Sequence, residues 1–309
     1  MYPGTAANLA PGEVLSLVAG NCRKVFGVCR FQDATGLRLH DIAGALGRPS
    51  GYTGGTGVTQ PGTPPCETNP NGNPMSGIDF HYWPTPNGWK VAILLEELGI
   101  AYRLCPVNIG RGDQFRPEFL SISPNNRMPA IVDHDVEGEP VSVFESGAIM
   151  FYLAEKTGRF IPGDARGRVE SLEWLFWQTG NQGPMAGQLS HFVNYAPGDH
   201  PYSHQRYANE YDRCLGVLER RLEGRTWLLG EEYSVADMIA WPWVLIARPL
   251  GVSLDAYPRV SAWRAAIKDR PAVQRAVDLG KEFRRAGPPS EEERKVLFNQ
   301  TGDRLVSTS

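Results

Sequence analysis

No pair of cysteines in this 309-residue chain has C-x-x-C spacing. The five cysteines (Cys22, Cys29, Cys66, Cys105 and Cys214) are scattered and odd in number. No Cys/His cluster has zinc-finger spacing. These absences exclude a dithiol redox centre and a structural zinc site of the usual form, and they fit a reducing, cytoplasmic compartment. Charge of one sign is also missing. The 31 Lys and Arg against 34 Asp and Glu give a net charge of -3. That leaves no basic surplus for nucleic acid and no charge block for a tail. No apolar run approaches the ~20 residues that a membrane helix needs. The short apolar stretch Val14-Leu15-Ser16-Leu17-Val18-Ala19 lacks the preceding basic residues of a secretory leader, so none is expected. No internal repeat is apparent. The expectation is a metal-free protein without a nucleic-acid or membrane partner.

The length suits about two domains of roughly 100–200 residues each. Residues 48–74 are rich in Gly and Pro and carry only Arg48 and Glu67 as charges. Such a stretch cannot bury enough apolar surface to offset its ordering entropy, and it reads as linker or disorder. Two weak helical patterns precede it, Val14–Phe31 and Leu37–Leu46. They fit either a small helical appendage or no structure. The regular pattern begins at Met75, so a start of translation there is as well supported as one at Met1. Residues 1–75 are therefore set apart as an extension.

From Ile78 the signals sharpen. Ile78 to Trp83 alternates as a strand does, and Pro84-Thr85-Pro86-Asn87-Gly88 breaks it. Val91, Leu94, Leu95 and Leu98 then recur on one helix face, with Gly99 as the expected stop. Tyr102 to Val107 is a second strand. A β-α-β unit this tight implies parallel strands. A polar loop with a short helix, Gly110 to Ile122, follows. Pro129–Asp133 and Val141–Phe144 form a hairpin around Glu137-Gly138-Glu139. Glu145-Ser146-Gly147 opens a helix that runs to Lys156 and stops at Gly158. The order β-α-β-(α)-β-β-α describes an α/β thioredoxin-like domain over residues 76–160.

Beyond Arg166 the patterns are helical throughout, which makes residues 165–286 an all-α bundle. Trp174, Phe176 and Trp177 share one helix. Tyr207, Tyr211, Cys214, Leu215, Leu218 and Leu222 mark the buried face of another. Ser234-Val235-Ala236-Asp237 has the form of a capping box, with Asp in place of Glu, and the helix it opens, carrying Trp241 and Trp243, should be buried. Pro258 to Asp269 is a further helix. Residues 287–309, polar apart from Val296-Leu297-Phe298, are expected to pack loosely as a tail. Cys105 and Cys214 fall on apolar faces and read as inert core thiols. His191 and His200 are expected in a loop between helices.

Three local features point to chemistry. The thioredoxin-like layout puts its reactive group where the first helix begins. Here that place holds Thr85 and Asn87, hydrogen-bonding groups beside a helix N-terminus, and no nucleophile with a neighbouring base. Helix N-termini favour anions. Such a site can hold, and lower the pKa of, a thiol that is not its own, although both residues also suit plain helix capping. The second feature is Arg127-Met128-Pro129. A cis-Pro there would expose the Met128 backbone to an extended peptide, but position alone favours an ordinary trans turn. The third is Glu145-Ser146 at a helix start, suited to the ammonium and carboxylate of a γ-glutamyl group, and equally to a cap. Jointly the three occupy the places where a tripeptide with a thiol, a backbone and a charged end would lie.

The runs Trp83 to Gly88, Gln114 to Phe119, Ile122 to Asp133 and Phe144 to Ile149 resemble the Nu-class bacterial glutathione transferases. These are relatives of the transferase-like domain of the yeast nitrogen-regulating prion protein. Trp174 to Gln178 and Gly183-Pro184-Met185 extend the likeness, which covers roughly residues 77–300. The resemblance implies a glutathione transferase fold, a homodimer, and glutathione-dependent reduction of disulfides with weak transferase activity. It implies that Thr85 and Asn87 hydrogen-bond the thiol of the cosubstrate glutathione. It also implies that Gln114, Met128, Pro129, Glu145 and Ser146 bind the rest of glutathione, and that Arg206 approaches it from the helical domain. Two other functions stay open: a transferase or lyase acting on aromatic electrophiles or thioether conjugates, with Phe192 and Tyr195 lining the pocket, and a non-catalytic glutathione-binding regulator.

Overall fold

Strand β2 (Ile78–Tyr82) is central because both its faces are covered: Ile78, Phe80 and Tyr82 are buried in the core, and Asp79 is buried on the other side against Arg103 (2.8 Å) and His134 (3.0 Å). The computed structural model describes residues 67–68, 77–285 and 287–303. The helical patterns at 14–31 and 37–46, the possible start at Met75, and most of the 48–74 stretch lie outside the described residues. Within that stretch, β1 (Glu67–Thr68) pairs antiparallel with β3 (Tyr102–Pro106). The sheet order is β1-β3-β2-β4-β5, with β4 spanning Ala130–Asp133 and β5 spanning Val141–Phe144. Strand β2 runs parallel to β3 and antiparallel to β4, and β4 and β5 form the expected hairpin.

Helix α1 (Pro86–Leu98) makes the crossover between β2 and β3. Thr85 caps it by accepting from the Gly88 amide, Pro86 opens it, and Gly99 closes it at φ 69°. A short α2 (Pro117–Leu120) precedes β4. Helix α3 (Ser146–Thr157) packs on α1 and is tied to the sheet by the buried Asp133 carboxylate. That group accepts from Lys156 Nζ (2.7 Å) and Tyr152 Oη (2.8 Å). One pair of bonds thus sets how α3 approaches the end of β4.

The helical part comprises α4 (Ala165–Trp177), a π-helical turn Gln178–Gln182, α5 (Gly183–Asn194), α6 (Pro201–Arg221), α7 (Val235–Leu245), α8 (Pro258–Lys268) and α9 (Pro271–Asp278). The Ser234–Asp237 capping box is present. Asp237 also accepts from the Leu228 amide and the Trp263 indole, so the start of α7 is fixed from three directions. The main apolar core runs from Ile78 and Leu94 through Leu175 and Trp241 to Ala276, joining the sheet side to the bundle. Polar ties cross the same boundary: Arg270 to Glu97, Arg275 to Glu96, and Tyr82 Oη to the Leu279 carbonyl (3.0 Å).

Several expectations change. Residues 291–298 form a capped helix, α10 (Glu291–Phe298), where loose packing was expected. Ser290 and Glu293 make a capping box, Arg294 donates to the Tyr195 carbonyl (2.8 Å), and Phe298 packs on His191 and Tyr195. Its low apolar content hid it, because Val296, Leu297 and Phe298 are its only apolar residues. His191 lies on α5, and His200 stands immediately before α6. Cys105 is disulfide-bonded, not an inert thiol; spacing alone does not reveal which cysteines meet. That removes one ground for inferring a reducing compartment. Cys214 is a free, buried thiol, as expected.

Candidate active site

Gly88 explains why the first helix starts so close to the strand before it. A Cβ there would lie 2.3 Å from the Trp83 carbonyl oxygen and within 2.9 Å of the Tyr82 ring. Only glycine lets α1 begin against the end of β2, and that closeness aims its free amides at the sheet edge. The Thr85 hydroxyl accepts from Gly88 N (3.3 Å) and donates to Met128 Sδ (3.6 Å). A thioether is a weak acceptor, so an incoming thiolate would claim that proton by a charge-assisted bond.

Asn87 is held differently. Its Oδ1 accepts from the Trp243 indole N–H at 3.2 Å. The indole only donates, so the bond fixes the amide with its NH2 available to the cavity that Asn87 lines. Trp243 is in turn held through its carbonyl by Tyr211 Oη (2.7 Å).

The cavity measures about 400 Å³. Asn87, Lys90 and Trp243 form one wall. Asn125, Arg127 and Met128–Pro129 form a second, and Glu145 and Ser146 a third. The π-helical turn and the start of α5 close it with Thr179, Gly183 and Gln188. The Met128–Pro129 peptide is cis, where position alone favoured trans; which isomer forms depends on the packing of the loop, which a single sequence does not display. Glu145 stands at φ 68°, a conformation that costs a non-glycine residue ~1–3 kcal/mol and gathers at functional sites. Its carboxylate accepts from Asn125 Nδ2 (3.0 Å). Ser146 is buried at the first turn of α3. No cysteine is among the described lining residues, and burial pushes the Cys214 thiol up to about 11. Among the described residues no group of three His, Cys, Asp or Glu is placed to hold a metal. No described helix is long and apolar enough to cross a membrane.

Family profiles for the glutathione S-transferase N-terminal and C-terminal domains match residues 75–155 and 201–266. The disulfide-bond oxidoreductase YfcG of Escherichia coli (strain K12) is 52% identical over 202 residues, covering 65% of this chain and 94% of that protein. The chain belongs to the glutathione S-transferase family. Among solved structures, a glutathione transferase from Burkholderia graminis with two glutathione molecules per subunit superposes with a TM-score of 0.64 at 45% identity. It covers 67% of this chain and 89% of its own. A glutathione transferase from Pseudomonas putida holding one glutathione disulfide per subunit gives 0.63 at 40% identity, with 68% and 94% coverage.

In this glutathione S-transferase the cavity gathers Asn87, Met128, Pro129, Glu145 and Ser146. Thr85 stands behind it, touching Met128. Gln114 is buried nearby in sequence terms only: its amide donates to the Ile109 carbonyl (3.1 Å), and its Oε1 has no partner. Arg206 is exposed on α6 and paired with Glu210 (2.6 Å), outside the lining set. Phe192 stacks on Tyr207 at 5.6 Å, and Tyr195 packs on Phe298; neither lines the cavity. Sequence reasoning missed Lys90, Gln178 and Trp243. Lys90 follows Asn87 by three residues, the spacing that puts two side chains on one helix face, but that spacing does not tell a buried lysine from a solvated one.

Proposed function

We propose that this chain is a glutathione-dependent disulfide-bond reductase with glutathione transferase activity, and that the reacting thiol is that of bound glutathione. One observation carries the reading: a single cavity joins the Asn87 amide at the start of α1, the cis Met128–Pro129 peptide and the Glu145–Ser146 start of α3, with no cysteine among the described residues of its wall. Its lining carries both donors and a carboxylate, Lys90 and Arg127 with Glu145, as a tripeptide with charged ends requires. Two glutathione molecules, or one glutathione disulfide, occupy the related structures, which fits the two thiols that disulfide reduction consumes.

In this reading the thiol lies at Thr85 and Asn87, where two donors and the helix N-terminus favour the thiolate. The cysteinyl backbone lies along Met128 and Pro129. The γ-glutamyl end meets Ser146 through its carboxylate and Glu145 through its ammonium. Gln114 and Arg206 are assigned supporting contacts at the margins. The thiolate attacks one sulfur of a substrate disulfide, forming a glutathione mixed disulfide and expelling the other sulfur as thiolate. A second glutathione thiolate attacks the glutathione sulfur of that mixed disulfide and releases the remaining substrate thiol. Two glutathiones become glutathione disulfide, and their two protons pass to the two product thiols. A cytoplasmic location, where reduced glutathione is available, suits the chemistry. A homodimer is supported by large apolar side chains left exposed on β5 (Val141, Phe144) and on α4 (Val169, Phe176).

The test is Asn87→Ala, assayed for glutathione-dependent reduction of 2-hydroxyethyl disulfide. A hydrogen bond to a charged group contributes about 1.5–3 kcal/mol, so kcat/KM should fall about 10- to 100-fold with unchanged thermal stability. Undiminished turnover would remove the assigned role of Asn87.

A further inference from the structure

Lys90 is buried to 2% exposure, yet it borders the cavity, and no step described above uses it. Its Nζ donates to Gln178 Oε1 at 2.6 Å and to Ser146 Oγ at 3.4 Å. Both acceptors are neutral. Among the described residues no carboxylate pairs with it. A buried ammonium without a counter-ion is costly. Burial lowers the pKa of Lys90 from 10.5 to about 7, with Glu145 pulling it partly back.

The donor count matches that state. A neutral amine has two N–H groups, and two acceptors are present; the ammonium has a third with nothing to receive it. Ser146 Oγ accepts from Lys90, so its own O–H is left to donate. The Nε2 of the fully buried Gln178 has no partner at all, and it lies beside the lining residue Gly183, whose Cβ would sit 2.9 Å from it. The site is therefore short of one acceptor group, and the missing group should be anionic.

We propose that Lys90 is a positioning residue for the α-carboxylate of the γ-glutamyl end of glutathione, which supplies its missing counter-ion, so that Lys90 takes up a proton as the ligand binds. The inference rests on the glutathione reading of the cavity. The carboxylate accepts from Ser146 Oγ–H and sits against the buried Lys90 Nζ. The charged groups facing Lys90 are few. From the start of α3 there is Glu145, and across the cavity Arg127. The π-helical turn and α7 present Gln178 and Trp243, which are neutral. Arg270 and Arg275 of α9 are bound to Glu97 and Glu96 further along α1. Below about pH 7 the ammonium already exists and binding takes up no proton. Above it, binding must draw a proton from solution, so affinity weakens as pH rises.

The experiment is calorimetric titration of the full chain with S-methylglutathione, which has no thiol to titrate, in buffers of different ionisation enthalpy. At about pH 8 the wild type should take up about one proton, and at about pH 6 almost none. 4-Aminobutanoyl-S-methylcysteinylglycine, which lacks the α-carboxylate, should bind with no uptake at either pH. Lys90→Met should bind S-methylglutathione about tenfold or more weakly without proton uptake. It should bind the analogue within about twofold of wild type, a pattern that general loosening would not give. Binding of S-methylglutathione without uptake, or equal affinity in Lys90→Met, overturns the inference while leaving the glutathione site intact. No binding of S-methylglutathione by the wild type overturns the site reading as well. The wild-type arms stand alone if the variant fails to fold.

Discussion

The indole N–H of Trp243 decides which end of the Asn87 amide faces the cavity. Trp243→Phe keeps most of the ring volume and deletes the donor. The amide is then free to turn, and kcat/KM for disulfide reduction should fall about three- to tenfold. In an Asn87→Ala background the same change should add nothing, because the two residues act as a unit. Additive losses would show that Trp243 acts by another route. The residues at this scale divide by how their environment is made. Thr85, Asn87, Glu145 and Ser146 were legible because each stands at a helix start, where local sequence marks both the break and the free amides. Lys90 and Trp243 were not. A lysine in a helix reads as solvent-facing, and its burial comes from Gln178 and Ser146, which arrive from 88 and 56 residues away. Trp243 read as core, which it is at 7% exposure; its one polar atom carries the contact that matters.

At the scale of elements, placement of the site depends on where α1 and α3 begin. Gly88 sets the first by allowing contact between α1 and β2. Gly88→Ala forces atoms apart against backbone, which typically costs about 1–3 kcal/mol in a packed core. Chemical denaturation should show that loss, and turnover should fall with it because Thr85 and Asn87 move with the helix. A variant of wild-type stability would mean that the strand end yields freely. Asp133 anchors the far half of α3 through Tyr152 and Lys156, which holds the helix against the sheet behind its start. Elements with strong local signals were legible: β2 by alternation, α1 by periodicity and its Gly99 stop, α7 by its capping box. The π-helical turn was not, because nothing in Gln178–Gln182 distinguishes it from the helices it joins. Helix α10 escaped notice because its contacts are made by Arg294, Phe298 and Gln300 individually and form no continuous apolar stripe.

At the scale of the whole molecule, the main core and a set of Arg–Glu ties join the sheet to the bundle, and the cavity lies where both contribute walls. The completed site was not readable along the sequence, because Thr179, Gly183, Pro184, Gly187, Gln188 and Trp243 reach its wall from far beyond α3. Phe176 is 71% exposed on α4, an unusual position for a large apolar ring in a monomer. The proposed homodimer predicts that the wild type sediments as a dimer and that Phe176→Glu shifts it to monomer in sedimentation or light-scattering measurements. An unchanged dimer mass would place the contact elsewhere, and a monomeric wild type would remove the homodimer.

The central claim is that the reacting sulfur arrives with glutathione. The most direct measurement replaces all five cysteines with serine and follows glutathione-dependent reduction of 2-hydroxyethyl disulfide, with circular dichroism confirming the fold. Loss of the Cys105 disulfide should lower thermal stability, so the assay belongs well below the melting transition. The account predicts kcat/KM within about twofold of wild type. A folded variant that still binds glutathione but no longer reduces the disulfide would contradict it, and would return the chemistry to a cysteine of the chain.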